Sequence, residues 1–235
     1  AVKVSGDGFV KDEVSDIKAT GSVTTVSEGE VTNTITFTKE NNYKDGNYTI
    51  VKDEGKLSIT AQSIDPGTDP EKPNPDYTGA KVNSPSDEVY DGNEHKWIPT
   101  VTDKSKTLKL GKDYTVEYST SDFTNVGTVE VTITGKGNYS GTVKRSYKVT
   151  PKEYTVTTES ATKTYSGTAL TAGGRVNNLV DGETVTLKIT GSQTEVGSSN
   201  NTYSLTWDGS AKEKNYTHGT DSIGLLTVTP KSIIP

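Results

Sequence analysis

Apolar and polar residues alternate in short runs along most of this chain. Tyr114, Val116 and Tyr118 fall on one face of a stretch whose other face carries Thr115, Glu117 and Ser119, the period of a half-buried β-strand. The same period recurs in Val129, Val131 and Ile133, in Val185, Leu187 and Ile189, in Tyr203, Leu205 and Trp207, and in Leu226 and Val228. Asp91-Gly92, Gly137-Asn138, Asp181-Gly182 and Asp208-Gly209 punctuate these runs with residues that tolerate positive φ. Thr and Val, both β-branched, are abundant and Ala, Leu, Gln and Met scarce, so almost no helix is expected. The pattern predicts an all-β protein of short antiparallel strands, built as tandem small β-sandwich modules of immunoglobulin-like type. A β-grasp-like module with one short helix is the alternative, because some modules are short of seven strands.

Self-similarity divides the chain. Thr190-Gly191-Ser192-Gln193-Thr194-Glu195-Val196 matches Thr20-Gly21-Ser22-Val23-Thr24-Thr25-Val26, and the same alignment sets Leu205-Thr206-Trp207 on Ile35-Thr36-Phe37 and Asn215-Tyr216 on Asn42-Tyr43. Gly224 to Thr229 then matches Gly55 to Thr60. Residues 1–62 thus read as a copy of residues 151–230 that lacks the opening strand, a reading that leaves an unpaired edge for another strand to join. Val149-Thr150-Pro151-Lys152 recurs as Val228-Thr229-Pro230-Lys231, so residues 231–235 read as the start of a further module or a tail. Residues 81–150 form a middle module. Between it and the first lie residues 63–80, where Pro66, Pro70, Pro73 and Pro75 alternate with acidic residues and predict an extended polar linker. The joint at Thr150-Pro151-Lys152 is far shorter and predicts a stiffer connection.

Composition narrows the chemistry. The 235 residues carry 25 Lys and Arg against 31 Asp and Glu, a net charge of −6, which disfavours a nucleic-acid partner. No run approaches the roughly 20 apolar residues of a membrane span, so membrane insertion is not expected. Only 29 % of residues are hydrophobic, enough for several small cores and too few for one large one. There is no cysteine, which removes disulfides and thiolate chemistry. His95 and His218 are the only histidines; they fall near turns of different modules and outside any nucleophile motif, so no catalytic residue, metal site or cofactor is expected. The acidic stretch 65–76 lacks the spacing of a calcium loop. No inward-facing lysine marks an intramolecular amide crosslink.

The middle module carries an ordered set of motifs: Val89-Tyr90-Asp91-Gly92, Pro99-Thr100-Val101, Leu110 to Ser119, Asn125-Val126-Gly127-Thr128, and Ile133 to Thr142. Together these resemble the bacterial Ig-like and MBG/YDG-type repeats of Gram-positive cell-surface proteins. The third module, with Tyr165-Ser166-Gly167-Thr168 and Val180 to Val185, is similar to a companion repeat found beside them. The resemblance implies an extracellular, cell-wall-associated array that serves as a stalk or as an adhesive segment. The Asn-x-Ser/Thr triplets at Asn47, Asn138, Asn200 and Asn215 are then incidental.

The function expected is a non-enzymatic stalk or spacer that presents a distal region, with neighbouring modules as its partners. The alternative is an adhesive or carbohydrate-binding module in which Trp97 and Tyr90 contact a host glycan or matrix protein. Trp207 is expected in the core, and Tyr43, Tyr139 and Tyr216 are expected to cover the core beside equivalent hairpins.

Overall fold

The computed structural model describes residues 1–66 and 79–234. Most of the linker read at 63–80 therefore lies outside the described residues. The chain is all-β, and its only helical pieces among the described residues are three single 3-10 turns, at Val26–Glu28, Asp45–Asn47 and Glu213–Asn215. The strands are β1 (Val14–Ala19), β2 (Val31–Thr32), β3 (Ile35–Lys39), β4 (Lys56–Leu57), β5 (Gln62–Ser63), β6 (Lys81–Val82), β7 (Glu88–Val89), β8 (Val101–Asp103), β9 (Lys106–Thr107), β10 (Tyr114–Tyr118) and β11 (Gly127–Gly135). They continue as β12 (Tyr139–Ser140), β13 (Thr142–Thr150), β14 (Lys152–Thr158), β15 (Ala161–Thr164), β16 (Gly174–Asn177), β17 (Thr186–Ile189), β18 (Gly197–Asn200), β19 (Tyr203–Thr206), β20 (Tyr216–His218) and β21 (Leu225–Thr229).

The alternation places side chains as expected. In β11, Val129, Val131 and Ile133 are buried while Glu130 and Thr134 face solvent, and in β21 Leu226 and Val228 are buried. Small sheets result, consistent with sandwich modules: β10-β11-β13-β7, β6-β8-β9, β16-β14-β20, β15-β21-β18, and two-stranded pairs elsewhere. Parallel pairs are present that alternation alone does not reveal, namely β5 with β12, β7 with β13, β14 with β20, and β15 with β21.

Two compact units divide the chain, one formed by residues 1–83, 99–117 and 132–144, the other by residues 84–98, 118–131 and 145–235. The division cuts through residues 81–150 instead of following the repeat boundaries. In the first unit the buried core comprises Ile64, Ala80, Val101, Leu108, Tyr114, Ile133, Tyr139 and Val143. No residue before Ile64 is buried. In the second unit Tyr90, Val149, Tyr154, Val156, Ala211 and Tyr216 form a core against which Leu187, Tyr203, Leu205 and Trp207 pack.

Residues 1–62 and 151–230 make corresponding backbone hydrogen bonds, in a register that differs from the alignment expected. The Thr20 amide donates to the Thr34 carbonyl at 2.8 Å, and the Thr190 amide to the Thr202 carbonyl at 2.8 Å. The Asn33 amide donates to the Gly55 carbonyl, and the Asn201 amide to the Gly224 carbonyl, both at 2.8 Å. The loop after Gly191 is thus two residues shorter than the loop after Gly21. That shift sets Tyr203 and Leu205 on Ile35 and Phe37, in place of the expected Leu205 and Trp207. Likewise the 3-10 turns Asp45–Asn47 and Glu213–Asn215 correspond, so the counterpart of Asn215-Tyr216 is Asn47-Tyr48 and not Asn42-Tyr43.

Candidate functional site

Two polar sites built from several hydrogen bonds lie where one module meets the next, and each is formed inside one unit. The starting element is a tight 3-10 turn closed by Asn-Tyr. In the second unit the Tyr216 amide closes the turn onto the Glu213 carbonyl, after which β20 runs out extended. Asn215 is left at the tip, wholly buried. Its Oδ1 accepts the Val126 amide at 3.0 Å and its Nδ2 donates to Asn125 Oδ1 at 2.8 Å. A half-buried amide and a buried side chain thereby satisfy each other.

The tyrosine beside it completes the joint. The Tyr216 hydroxyl accepts the Val180 amide at 2.9 Å and donates to Glu183 Oε2, while the Tyr90 hydroxyl donates to Glu183 Oε1. One carboxylate thus receives a phenol from each module, and the two rings meet edge to face at 5.6 Å between centroids. Burial, and after it the Glu183 hydrogen bond, pushes both phenols above their ordinary value. Glu183 is held in place by a turn through Gly182, whose φ of 85° lies in the left-handed region. Between these groups the chain leaves the middle module as β14 and pairs in parallel with β20, Lys152 opposite Tyr216 and Tyr154 opposite His218.

The first unit contains the same construction. The Val26 amide donates to Asn138 Oδ1 at 3.0 Å. The Tyr139 hydroxyl donates to Asp103 Oδ2 at 3.1 Å, and Gln62 Nε2 donates to Asp103 Oδ1 at 3.3 Å. The chain leaving the first module, β5, pairs in parallel with β12, Gln62 opposite Tyr139. Ile64 follows with 0 % exposure, in the place that Tyr154 holds in the other joint. Ser63 and Ile64, assigned to the linker from the sequence, therefore belong to the strand and core of this joint.

Each side chain singled out from the sequence has a defined place. Tyr90 is 3 % exposed with its hydroxyl on Glu183, so it is a joint residue with no open face for a ligand. Trp97 is half-buried. Its amide takes a hydrogen bond to the Tyr147 hydroxyl at 3.3 Å, and its carbonyl accepts from the Tyr118 hydroxyl at 2.8 Å. Structure brings Trp97 and Tyr90 to no common surface strip, because Tyr90 is enclosed. Trp207 stacks on Tyr216 at 5.4 Å and meets Tyr154 edge-on at 5.2 Å, packed against the core as expected. Tyr139 and Tyr216 are buried, whereas Tyr43 stacks on Tyr48 at 5.2 Å.

The histidines are held by neighbouring carboxylates. His95 Nε2 lies 2.8 Å from Asp91 Oδ1 with its side chain 17 % exposed, so it is more enclosed than a loop histidine is expected to be. Hydrogen bonds from Asn93, chiefly, and from His95 hold the Asp91 carboxyl down at about 2. His218 Nε2 lies 2.9 Å from Asp221 Oδ1, and its ring stacks on Tyr154 at 4.8 Å. Asp221 also accepts the Val156 amide at 2.7 Å and the Tyr203 hydroxyl. Burial and then this bond push the Tyr203 phenol up to about 12. Among the described residues neither histidine is hydrogen-bonded to a serine or threonine hydroxyl, and no group of three or more His, Asp or Glu residues is placed to hold a metal ion. Among the described residues no helix is long and apolar enough to cross a membrane.

No family model matches the chain, and no curated protein matches it.

Proposed function

We propose that this chain is a spacer segment of a bacterial cell-surface protein, a run of small non-enzymatic β modules that carries a distal functional region outward from the cell wall. The observation that supports this reading is the joint used twice. In both units the departing strand, a valine amide and a hydroxyl- or amide-bearing side chain of one module are all consumed by the Asn-Tyr turn and its acid in the next. A joint that spends backbone pairing and side-chain hydrogen bonds together resists bending, which a spacer requires and a flexible tether of independent binding domains does not. The wall location and the bacterial source rest on the resemblance of the Tyr90-Asp91-Gly92 and Gly127 to Thr142 motifs. Absence of cysteine from the chain makes introduced labels unique. Spin labels at Glu130→Cys and Lys188→Cys flank the joint of the second unit, and a single narrow distance distribution is expected; a broad one overturns the spacer reading.

A second reading is favoured by one feature of the middle module. Trp97 is half-exposed, its backbone is held on both sides by tyrosine hydroxyls, and the neighbouring Ile98 is 63 % exposed. A rigidly mounted indole beside an apolar side chain is suited to stack on a sugar ring of a host glycan or on a matrix protein. Binding of the chain to a glycan and matrix-protein array that disappears in Trp97→Ala supports this adhesive reading. Absence of binding, or binding unchanged in the variant, removes it.

A further inference from the structure

In the middle and third modules alike, the second strand pairs with the last. In the middle module β7 and β13 pair in parallel, Glu88 opposite Val149 and Val89 opposite Thr150. In the third module β15 and β21 pair in parallel, from Ala161 opposite Leu226 to Thr164 opposite Thr229. The leaving strand is internal to its sheet and the entering strand is the edge in both cases, β13 between β11 and β7, and β21 between β18 and β15. All of these paired residues belong to the second unit.

The two pairs are finished in the same way. The carbonyl of the last threonine accepts the amide of a tyrosine, Thr150 from Tyr90 and Thr229 from Tyr165, both at 2.8 Å. The hydroxyl of that threonine donates to the carbonyl two residues before the tyrosine, Thr150 to Glu88 at 3.0 Å and Thr229 to Lys163 at 3.4 Å. Pro151 and Pro230 follow and, having no amide, end the ladder. At the other end a side-chain oxygen just before the entering strand takes an amide of the leaving one: Asp87 Oδ1 from Lys148 at 2.7 Å, and Ser160 Oγ from Leu225 at 2.9 Å. Val149, Leu226 and Val228 are buried, so one face of each pair is shielded from water. The Val-Thr-Pro-Lys repeat at 149–152 and 228–231 is the sequence trace of this construction.

Parallel pairing decides how such a pair meets a pull along the chain. Tension enters β7 or β15 at its N-terminal end and leaves β13 or β21 at its C-terminal end. In a parallel pair those two ends lie at opposite ends of the ladder, so the strands are drawn past each other along their length. Every rung then carries the load at once and all must break together, whereas strands pulled apart from one end lose their rungs in turn. We propose that β7 with β13 and β15 with β21 are tension clamps, which make this segment a tether that resists being stretched as well as bent. Their use rests on the spacer reading, because a segment is pulled only when something is attached on either side of it, and they extend that reading from stiffness to strength.

The test is the lifetime of the full chain under constant force in optical tweezers, since forced unfolding is set by the unfolding rate. With no cysteine in the chain, two introduced thiols fix the pulling axis. Glu159→Cys with Lys231→Cys draws β15 and β21 past each other, and Ser166→Cys with Lys231→Cys pulls the same strands apart from their C-terminal ends; all three positions are exposed. At equal force the first axis is expected to give a lifetime about a hundredfold longer, the worth of roughly three hydrogen bonds broken together instead of in turn. Ser84→Cys with Glu153→Cys loads the pair of the middle module lengthwise, again through exposed positions. There Asp87→Ala removes the exposed bond to the Lys148 amide and is expected to shorten the lifetime about fivefold, the worth of one hydrogen bond, while the 159–231 lifetime is unchanged. Equal lifetimes along the two axes of the third module, or no effect of Asp87→Ala on the 84–153 axis, overturns the proposal. The spin-label distance is a separate outcome: a narrow distance with equal lifetimes keeps the spacer and removes the clamps, and a broad distance with the hundredfold ratio keeps the clamps and removes the spacer.

Discussion

Asn215, Asn138 and Asn47 occupy one structural position in three environments, so alanine at each isolates what burial contributes to the joint. Asn215 is wholly buried and makes two hydrogen bonds, to the Val126 amide at 3.0 Å and to Asn125 at 2.8 Å. Each is worth about 1 kcal/mol net, and a buried donor left without an acceptor costs roughly 1–3 kcal/mol. Asn215→Ala loses both bonds and strands the Val126 amide, for an expected cost of about 2–4 kcal/mol. Asn138 binds the Val26 amide at the same 3.0 Å but is itself exposed, so water replaces it and Asn138→Ala costs about 1 kcal/mol or less. The Asn47 side chain bonds nothing among the described residues, and Asn47→Ala falls within about 0.5 kcal/mol of wild type. Urea unfolding of the full chain is the assay. The two tryptophans, Trp97 and Trp207, both lie in the second unit, so their fluorescence follows Asn215→Ala, while circular dichroism follows the other two variants. Equal costs for Asn215→Ala and Asn138→Ala, or a cost below about 1 kcal/mol for Asn215→Ala, would refute the argument that desolvation sets the strength of this joint.

Ile64→Ala removes a fully buried side chain and is expected to cost about 2–5 kcal/mol, while Ile233→Ala at the corresponding exposed position leaves the urea midpoint of the dilute chain unchanged. Gly191→Ala places a Cβ 2.5 Å from the Asn201 Cα, a backbone contact that no rotamer relieves; about 2–3 kcal/mol of destabilisation is expected, read as a lower melting temperature. The phenols of Tyr90, Tyr216 and Tyr203 all sit above their ordinary value of 10.0 in the folded chain, Tyr203 at about 12. A raised folded value stabilises the fold fully below the unfolded value, and that stability is lost as pH rises through the folded one. The urea midpoint reported by tryptophan fluorescence is therefore expected to hold up to about pH 9.5 and to fall between about pH 10 and 12; a midpoint insensitive to pH across that range counts against the buried tyrosine–carboxylate contacts.

The strands were legible because their signal is local. Val129, Val131 and Ile133 need only a period of two to declare a buried face, and they are buried. The repeat was legible for the same reason where a glycine is forced, as at Gly21 and Gly191, each packed with no room for a Cβ against the backbone of Asn33 or Asn201. Alignment slipped where the constraint is a backbone bond carrying no side-chain signature. The Thr34 and Thr202 carbonyls fix the two-residue difference between the loops, and residues 41–48 contain two Asn-Tyr pairs, of which only the second closes a 3-10 turn. The joint was hidden more deeply. Val26 and Val126 contribute through their main-chain amides, 112 and 89 residues away from their asparagines, and any residue but proline offers an amide. Tyr90 looked presentable for the same reason, since the residue that buries its hydroxyl, Glu183, is 93 residues further on. A usable signal was nonetheless present. Asn-Tyr-Thr or Asn-Tyr-Ser stands at 47–49, 138–140 and 215–217, once per module, and those at 138–140 and 215–217 are the receiving turns of the two joints. Asn200, the one such triplet without a tyrosine, lies in β18 and closes no turn. What separates the two kinds is the aromatic ring: a tyrosine after the asparagine brings a hydroxyl long enough to reach a carboxylate in the adjoining loop, and the asparagine alone has no second anchor to hold it at the tip.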